Sequence, residues 1–116
     1  MRGVLFRKPG PPESLHVETL PDPAPGPGEV LIRVRAAGVN FADVLARQGL
    51  YPEAPKAPYI PGYESAGEIA ALGAGVERFR VGERVLAHHT SGGYAELVAV
   101  SADRVVPLPD SIPFQT

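Results

Sequence analysis

A small, mainly β domain is predicted by three features of this sequence. Its 116 residues are enough for one domain with a core of its own. Proline (14) and glycine (13) recur between short apolar runs, which leaves room for short strands and few helices. Several of these runs alternate apolar and polar residues with a period of two. Together they favour an all-β barrel or sandwich over a helical bundle.

Composition and charge exclude several functional classes. Apolar residues make up 44% and charged residues 21%, which indicates neither disorder nor a membrane span. The net charge of -2 is spread along the chain without a basic run, so neither nucleic acid nor a membrane is expected as a partner. There is no cysteine, and no signal-like apolar run follows Met1. We expect a cytoplasmic protein without disulfides or thiolate metal ligands.

The first third of the chain is predicted to form strands. Arg2–Lys8 and Leu15–Leu20 are β-like runs joined by a proline-rich turn, which indicates a strand pair. The proline-rich residues 21–29 have few backbone donors, and we expect a stiff surface connection there. Residues 30–36 then alternate strictly, which predicts a strand with one face in the core.

The pattern changes to a helix at Asn40. Apolar residues at helical spacing follow, and Gly49 can end the helix in a left-handed conformation, so about two turns are predicted. Asn40 can cap this helix, with Asp43 three residues on to complete a capping box. Asp43 and Arg47 have the spacing of an ordinary ion pair on an exposed helix, which we interpret as structural.

The rest of the chain is predicted to be a loop followed by strands. Residues 50–62 hold four prolines and two tyrosines, and a loop with sheltered rings of this kind often lines a site. Further strands are predicted over Glu64–Leu72, Arg84–His88, Tyr94–Val100 and Arg104–Leu108.

Five short motifs follow one another along the chain: AAGVNFAD, GLYP, PGYESAGEI, VGERV and GGYAELVAV. In this order they resemble the catalytic domain of the medium-chain dehydrogenase/reductase superfamily, specifically its zinc-free quinone oxidoreductase (zeta-crystallin-like) branch. The resemblance covers nearly the whole chain. It implies a GroES-like, partly open β barrel with one or two short helices. Residues 1–116 would then be the N-terminal catalytic domain of an alcohol dehydrogenase-like enzyme.

The resemblance also implies that no metal is bound. Zinc alcohol dehydrogenases of the same superfamily place a cysteine where Asn40 stands and a histidine where Tyr63 stands. Without these ligands, a zinc site would depend on His16, His88, His89 or carboxylates. Since the adjacent His88 and His89 of a strand point to opposite faces, we interpret the histidines as polar strand or loop residues.

Site residues are carried over by resemblance onto the matching motifs. Asn40 and Tyr51 are the expected catalytic residues, and Asn40, Phe41 and Tyr63 are expected to contact the cofactor. Asn40 would position the nicotinamide or the acceptor, and Tyr51 would hydrogen-bond the acceptor oxygen or donate a proton. Tyr63 and Phe41 would form an apolar wall, and Glu64 would orient its strand. The plain alternatives are that Asn40 only caps the helix and that Tyr51 only covers the loop.

The implied reaction is NADPH-dependent hydride transfer to a quinone or to an activated double bond. Leu45 stands where many quinone reductases carry a second tyrosine, whereas related enoyl reductases have leucine there, so enoyl reduction is the close alternative. A homodimer is expected of the full-length enzyme from the family alone.

The cofactor domain is expected to lie outside this chain. Gly73-Ala74-Gly75 lacks the third glycine of a dinucleotide fingerprint and is interpreted as a turn. We therefore expect a fragment, a split gene product or an N-terminal piece of a longer protein, inactive without its Rossmann domain. Such a piece would expose apolar surface and self-associate weakly. A noncatalytic, stand-alone GroES-like barrel is the remaining alternative.

Overall fold

The computed structural model describes residues 1–52 and 54–115. Within these ranges the chain is mainly β, with one short α-helix, α1 (Phe41–Arg47). Short 3-10 turns lie at Pro12–Ser14 and Ala102–Arg104. The strands are β1 (Arg2–Leu5), β2 (His16–Thr19), β3 (Glu29–Ala37), β4 (Glu64–Leu72), β5 (Arg84–His88), β6 (Leu97–Ser101) and β7 (Val105–Pro107).

The strands form two antiparallel sheets that do not close into a barrel within the described residues. β1 pairs with β2, which confirms the predicted strand pair. The larger sheet has the order β6-β3-β4-β5-β7. This arrangement agrees with the predicted partly open GroES-like fold.

The core lies on one face of the larger sheet. On β3, Val30 and Ile32 are completely buried while Arg33 and Arg35 are exposed, which confirms the predicted alternation. Burial of these branched side chains supplies the main driving force for the sheet, at roughly 1.5–3 kcal/mol for each fully buried side chain. The other members of this cluster are Ile69, Phe79, Val85, Ala87, Val98, Val100, Ala102 and Val105.

The predicted strand Tyr94–Val100 begins three residues too early. β6 starts at Leu97, because Tyr94 and Ala95 pair with β1, and Glu96 is hydrogen-bonded to both β1 and β3. The N–H of Val4 donates to the carbonyl of Tyr94 at 2.8 Å, and the N–H of Glu96 donates to the carbonyl of Arg2 at 3.1 Å. The chain therefore changes partner here, and this segment ties the small sheet to the large one.

β3 and β4 leave no room for a side chain at Gly67. A Cβ atom at this position would lie 2.0 Å from the carbonyl oxygen of Arg33. The register between the two strands shifts beside this contact, between Val34 and Ala36. Such irregularities bend a strand, and the chain leaves β3 here to enter α1 at Phe41, four residues after Ala37.

Candidate active site

Asn40 occupies the N-cap of α1, as the sequence predicts. Its backbone is extended, with φ −111° and ψ 161°, and its N–H donates to Oδ2 of Asp43 at 2.9 Å. Its carbonyl accepts the N–H of Asp43 at 3.0 Å. The start of the helix, and with it the position of Asn40, is therefore fixed by Asp43.

Asp43 is buried, so its interpretation as a member of an exposed ion pair is wrong. Its Oδ2 also accepts a hydrogen bond from the hydroxyl of Tyr94 at 2.8 Å. Burial, followed by this hydrogen bond and the charge of Asp43, raises the pKa of Tyr94, which stays protonated. Arg47 donates instead to the carbonyl of Gly10 at 2.7 Å. The buried carboxylate thus joins the helix start to the chain before β6.

A cavity of about 320 Å³ lies at the N-terminal end of α1. Three of the predicted site residues, Asn40, Tyr51 and Tyr63, line it together with Ala42 and Thr90. The rings of Tyr51 and Tyr63 meet edge to face, with centroids 5.8 Å apart. This geometry is favourable for aromatic pairs and holds the loop tyrosine against the start of β4. The structure thus brings together residues 23 positions apart in the sequence.

Phe41 does not share this cavity. Its side chain is 74% exposed, and it is absent from the lining residues. Val39 and Leu50, on either side of α1 in sequence, are similarly exposed. The role of Phe41 in cofactor binding stays a prediction, and any such contact would be made on the outer surface of the helix start.

His89 is a structural residue at the base of the cavity. It is 6% exposed, with Nδ1 3.0 Å from the carbonyl oxygen of Gly62 and Nε2 3.0 Å from Oγ of Ser65. Since a carbonyl only accepts, Nδ1 carries the proton and Nε2 accepts from the Ser65 hydroxyl. Burial lowers the pKa of His89 and keeps it neutral. Both ring nitrogens are therefore engaged within the fold.

His88 is exposed and lines the same cavity. The predicted opposite orientation of His88 and His89 is confirmed by their burial. In the β4–β5 pairing, His88 lies directly opposite Glu64, which follows Tyr63. His88 and Thr90 were not predicted from the sequence as cavity residues. The alternation along β5 could have placed His88 on the exposed face of the strand. Its register with Glu64 could not be deduced from the sequence.

The carboxylate of Glu64 lies over Gly38. A Cβ atom at Gly38 would stand 1.9 Å from Oε1 of Glu64. The backbone N–H of Gly38 donates to the carbonyl of Glu64 at 3.3 Å. Gly38 therefore lets the Glu64 side chain pack across the end of β3, beside the cavity and two residues before Asn40.

The cavity can hold one ring-sized molecule and offers it several polar groups. An amide, a phenol hydroxyl and an imidazole lie on its wall at Asn40, Tyr51 and His88. In the described part of the chain, no group of three or more His, Cys, Asp or Glu side chains is placed to hold a metal ion. None of the described helices is long and apolar enough to cross a membrane.

Comparisons with known proteins agree with this architecture. Residues 26–110 match the family model for the alcohol dehydrogenase GroES-like domain. The chain is 45% identical over 114 residues to a quinone oxidoreductase of Pseudomonas aeruginosa, covering 97% of this chain and 34% of the relative. It is also 45% identical over 93 residues to the rat synaptic vesicle membrane protein VAT-1 homolog, covering 80% of this chain and 23% of the relative.

Solved structures show the same similarity. The human synaptic vesicle membrane protein VAT-1 homolog-like protein superposes with a TM-score of 0.95 at 37% identity, covering 98% of this chain and 37% of that chain. A mycobacterial protein complexed with NADPH gives a TM-score of 0.91 at 35% identity, covering 98% of this chain and 35% of that chain. The chain spans roughly a quarter to a third of the length of these curated relatives.

Proposed function

The chain belongs to the alcohol dehydrogenase GroES-like domain family, within the quinone oxidoreductase branch of the medium-chain dehydrogenase/reductase superfamily. From this premise we propose that it is the substrate domain of an NADPH-dependent, zinc-independent quinone oxidoreductase. The observation that carries the proposal is the single cavity lined by Asn40, Tyr51 and Tyr63. The similarity to a mycobacterial structure complexed with NADPH supports the choice of cofactor.

The cavity fits the nicotinamide or the acceptor ring but not a whole dinucleotide. Its volume of about 320 Å³ lies at the small end for ligand pockets. The sequence also has no glycine-rich segment that opens a helix, which is the usual site for a diphosphate. The rest of NADPH would be held by a Rossmann domain outside this chain. When bound, the reduced nicotinamide supplies the hydride.

The chain's own residues orient the acceptor and stabilise charge on its oxygen. The Asn40 amide donates a hydrogen bond from a position fixed by the helix start, and the Tyr51 hydroxyl donates a second. Tyr63 and Ala42 contribute apolar surface to the cavity wall. An amide and a phenol are not among the usual zinc ligands, so the donor set supports chemistry without that metal.

Reduction of an activated carbon–carbon double bond is the second candidate. Leu45 motivates it by resemblance, but Leu45 is not among the residues lining the cavity. The same donors could polarise an enone carbonyl as well as a quinone carbonyl. A stand-alone noncatalytic barrel is disfavoured by the convergence of Asn40, Tyr51 and Tyr63. We further propose a cytoplasmic, homodimeric full-length enzyme.

A chimeric enzyme tests the proposal. The chain replaces the corresponding segment of the Pseudomonas aeruginosa quinone oxidoreductase, to which it is 45% identical over 114 residues. NADPH oxidation is measured with a simple quinone and with an enoyl thioester, before and after treatment with a zinc chelator. Quinone reduction that survives chelation supports the proposal. Activity with the thioester alone favours enoyl reduction, and activity abolished by chelation contradicts zinc independence.

A further inference from the structure

We propose that a second cavity, between α1 and the turn that joins β1 to β2, binds a small aromatic molecule that carries a hydroxyl group, such as a phenol. We call it the turn cavity; Asp43 and Tyr59 on its wall hold the hydroxyl of the ligand. Among the described residues, none lines both this cavity and the one at Asn40 and Tyr51. The inference is therefore independent of the proposed function.

The turn cavity has the size and the lining of a site for one aromatic ring. Its volume is about 170 Å³, and an apolar cavity of about 150 Å³ is enough to hold benzene. Leu15, Val44 and Ala46 supply apolar surface to its wall. Pro12 and Val39 also line it and are exposed, so a ligand can enter from solvent on their side.

Two buried polar atoms of the cavity residues have no hydrogen-bond partner in the described part of the chain. They are Oδ1 of Asp43 and the hydroxyl oxygen of Tyr59. Asp43 as a whole is only 7% exposed. Because a buried polar atom without a partner destabilises the structure that contains it, a ligand that supplies the missing hydrogen bonds is favoured.

The carboxylate of Asp43 is held in place by its other oxygen. Oδ2 accepts the backbone N–H of Asn40 at 2.9 Å and the hydroxyl of Tyr94 at 2.8 Å. These two bonds come from different parts of the chain and fix the orientation of the carboxylate. Oδ1 is therefore the atom of this carboxylate that is left for a ligand.

Tyr59 is held by its backbone and its ring rather than by its hydroxyl. Its N–H donates to the carbonyl of Phe6 at 3.1 Å, and the N–H of Phe6 donates to the carbonyl of Tyr59 at 2.8 Å. The two rings also pack together, with centroids 5.0 Å apart. Burial, followed by the charge of Asp43, raises the pKa of Tyr59, so its hydroxyl stays protonated and can donate.

A neutral hydroxyl group matches these two atoms best. It donates one hydrogen bond and accepts others, so it can donate to Oδ1 of Asp43 and accept from the hydroxyl of Tyr59. A carboxylate ligand would be repelled by Asp43. An ammonium ligand would meet the guanidinium of Arg47, which lines the same cavity and donates to the carbonyl of Gly10 at 2.7 Å.

Occupancy of the turn cavity should be detectable at Asn40. A donor at Oδ1 draws negative charge from the carboxylate of Asp43, so Oδ2 accepts the N–H of Asn40 less strongly. Asn40 is not one of the residues that line the turn cavity. A change in its amide signal would therefore be transmitted through the carboxylate and would not require direct contact with the ligand.

Phenol and toluene, titrated separately into the chain, test the proposal. They have the same number of non-hydrogen atoms, but only phenol carries a hydroxyl group. Binding is followed by the NMR amide signals of Ala46 and Tyr94, which line the turn cavity, and of Asn40. Both ligands should shift the signals of Ala46 and Tyr94. Only phenol should also move the amide proton of Asn40 upfield, as its hydrogen bond weakens.

Matched variants identify the group that recognises the hydroxyl. Tyr59→Phe should fold as the wild type does, because the hydroxyl that it removes has no partner within the described residues. It should weaken phenol binding about threefold to tenfold and leave the affinity for toluene unchanged. Tyr51→Phe removes a hydroxyl from the other cavity and should leave phenol binding at the turn cavity unchanged.

The outcomes separate this proposal from the proposed function. Phenol that shifts the signals of Tyr51 and Tyr63 but not those of Ala46 and Tyr94 would overturn the turn cavity as a binding site. Absence of phenol binding, or an equal phenol affinity in Tyr59→Phe and the wild type, would overturn it as well. None of these results changes the expected activity of the chimeric enzyme, and an inactive chimera would leave phenol binding at the turn cavity in place.

Discussion

The hydroxyl of Tyr94 donates a hydrogen bond to Oδ2 of Asp43 at 2.8 Å, across 51 positions of the sequence. The same oxygen accepts the backbone N–H of Asn40 at 2.9 Å. The position of Asn40 at the cavity is thus set by a buried carboxylate held from two directions. The packing of the chain before β6 therefore supports the candidate site directly.

Tyr94→Phe should destabilise the chain by about 1–3 kcal/mol, because a buried carboxylate loses a hydrogen-bond donor. Urea unfolding followed by circular dichroism measures the change. Tyr51→Phe is the matched control, since the Tyr51 hydroxyl has no hydrogen bond to another described residue. Equal stability of the two variants would show that the Tyr94–Asp43 contact contributes little.

Stability should fall as the pH drops below about 6.5 because of His89. Burial holds the pKa of His89 below its ordinary 6.5, so the folded form stays neutral while the unfolded chain takes up a proton. The stabilisation is complete above pH 6.5 and is lost as the pH falls toward the folded pKa. The His89→Gln variant should have a lower free energy of unfolding than the wild type at pH 7. Below pH 7 this free energy should decrease less steeply than in the wild type.

Glu18 and Glu96 have lowered pKa values, so their contribution is lost only at pH values below about 4.5, outside this window. An identical slope in wild type and His89→Gln would remove His89 as the cause.

Gly67→Ala and Gly38→Ala should differ strongly although both add one methyl group. At Gly67 the added Cβ meets the backbone carbonyl of Arg33 at 2.0 Å, so strands β3 and β4 must separate, at a cost of about 1–3 kcal/mol or more. At Gly38 it meets only the exposed side chain of Glu64, which can rotate away, so the change should be within about 0.5 kcal/mol. Denaturant unfolding of both variants checks the difference.

The chain should self-associate weakly through the surface beside α1. Phe41 and Val39 are 74% and 76% exposed there, which is unusual for large apolar side chains so close in sequence. Phe41→Ser should weaken association measured by sedimentation equilibrium. Val17→Ser removes an apolar residue of β2 that is 66% exposed and should have little effect. A wild-type chain that sediments as a monomer at high concentration would contradict this prediction.

Much of the fold could be predicted because local patterns and tertiary environment agree. The alternation over residues 30–36 matches the burial of β3, and β4 and β5 have their predicted bounds. The bounds of β6 were wrong because Tyr94 and its neighbours pair with β1, a choice of partner that strand propensity does not encode.

The site was predicted only in part for a similar reason. Asn40, Tyr51 and Tyr63 lie in recognisable motifs, and the structure places them around one cavity. The burial of Asp43 depends on a tyrosine far away in sequence, and the pairing of His88 with Glu64 depends on strand register. Rules based on residue spacing within one helix or strand cannot predict long-range packing of this kind.

The most direct test of the central claim is the single-turnover rate of hydride transfer to a quinone in the chimera, compared between the native sequence and Asn40→Asp. Aspartate preserves the helix cap but removes the amide donor, so folding is retained while stabilisation of the acceptor oxygen is lost. We expect the rate to fall on the order of 10²-fold with unchanged thermal stability. An unchanged rate would contradict the account, because the cavity at the start of α1 would then not be where the acceptor is held.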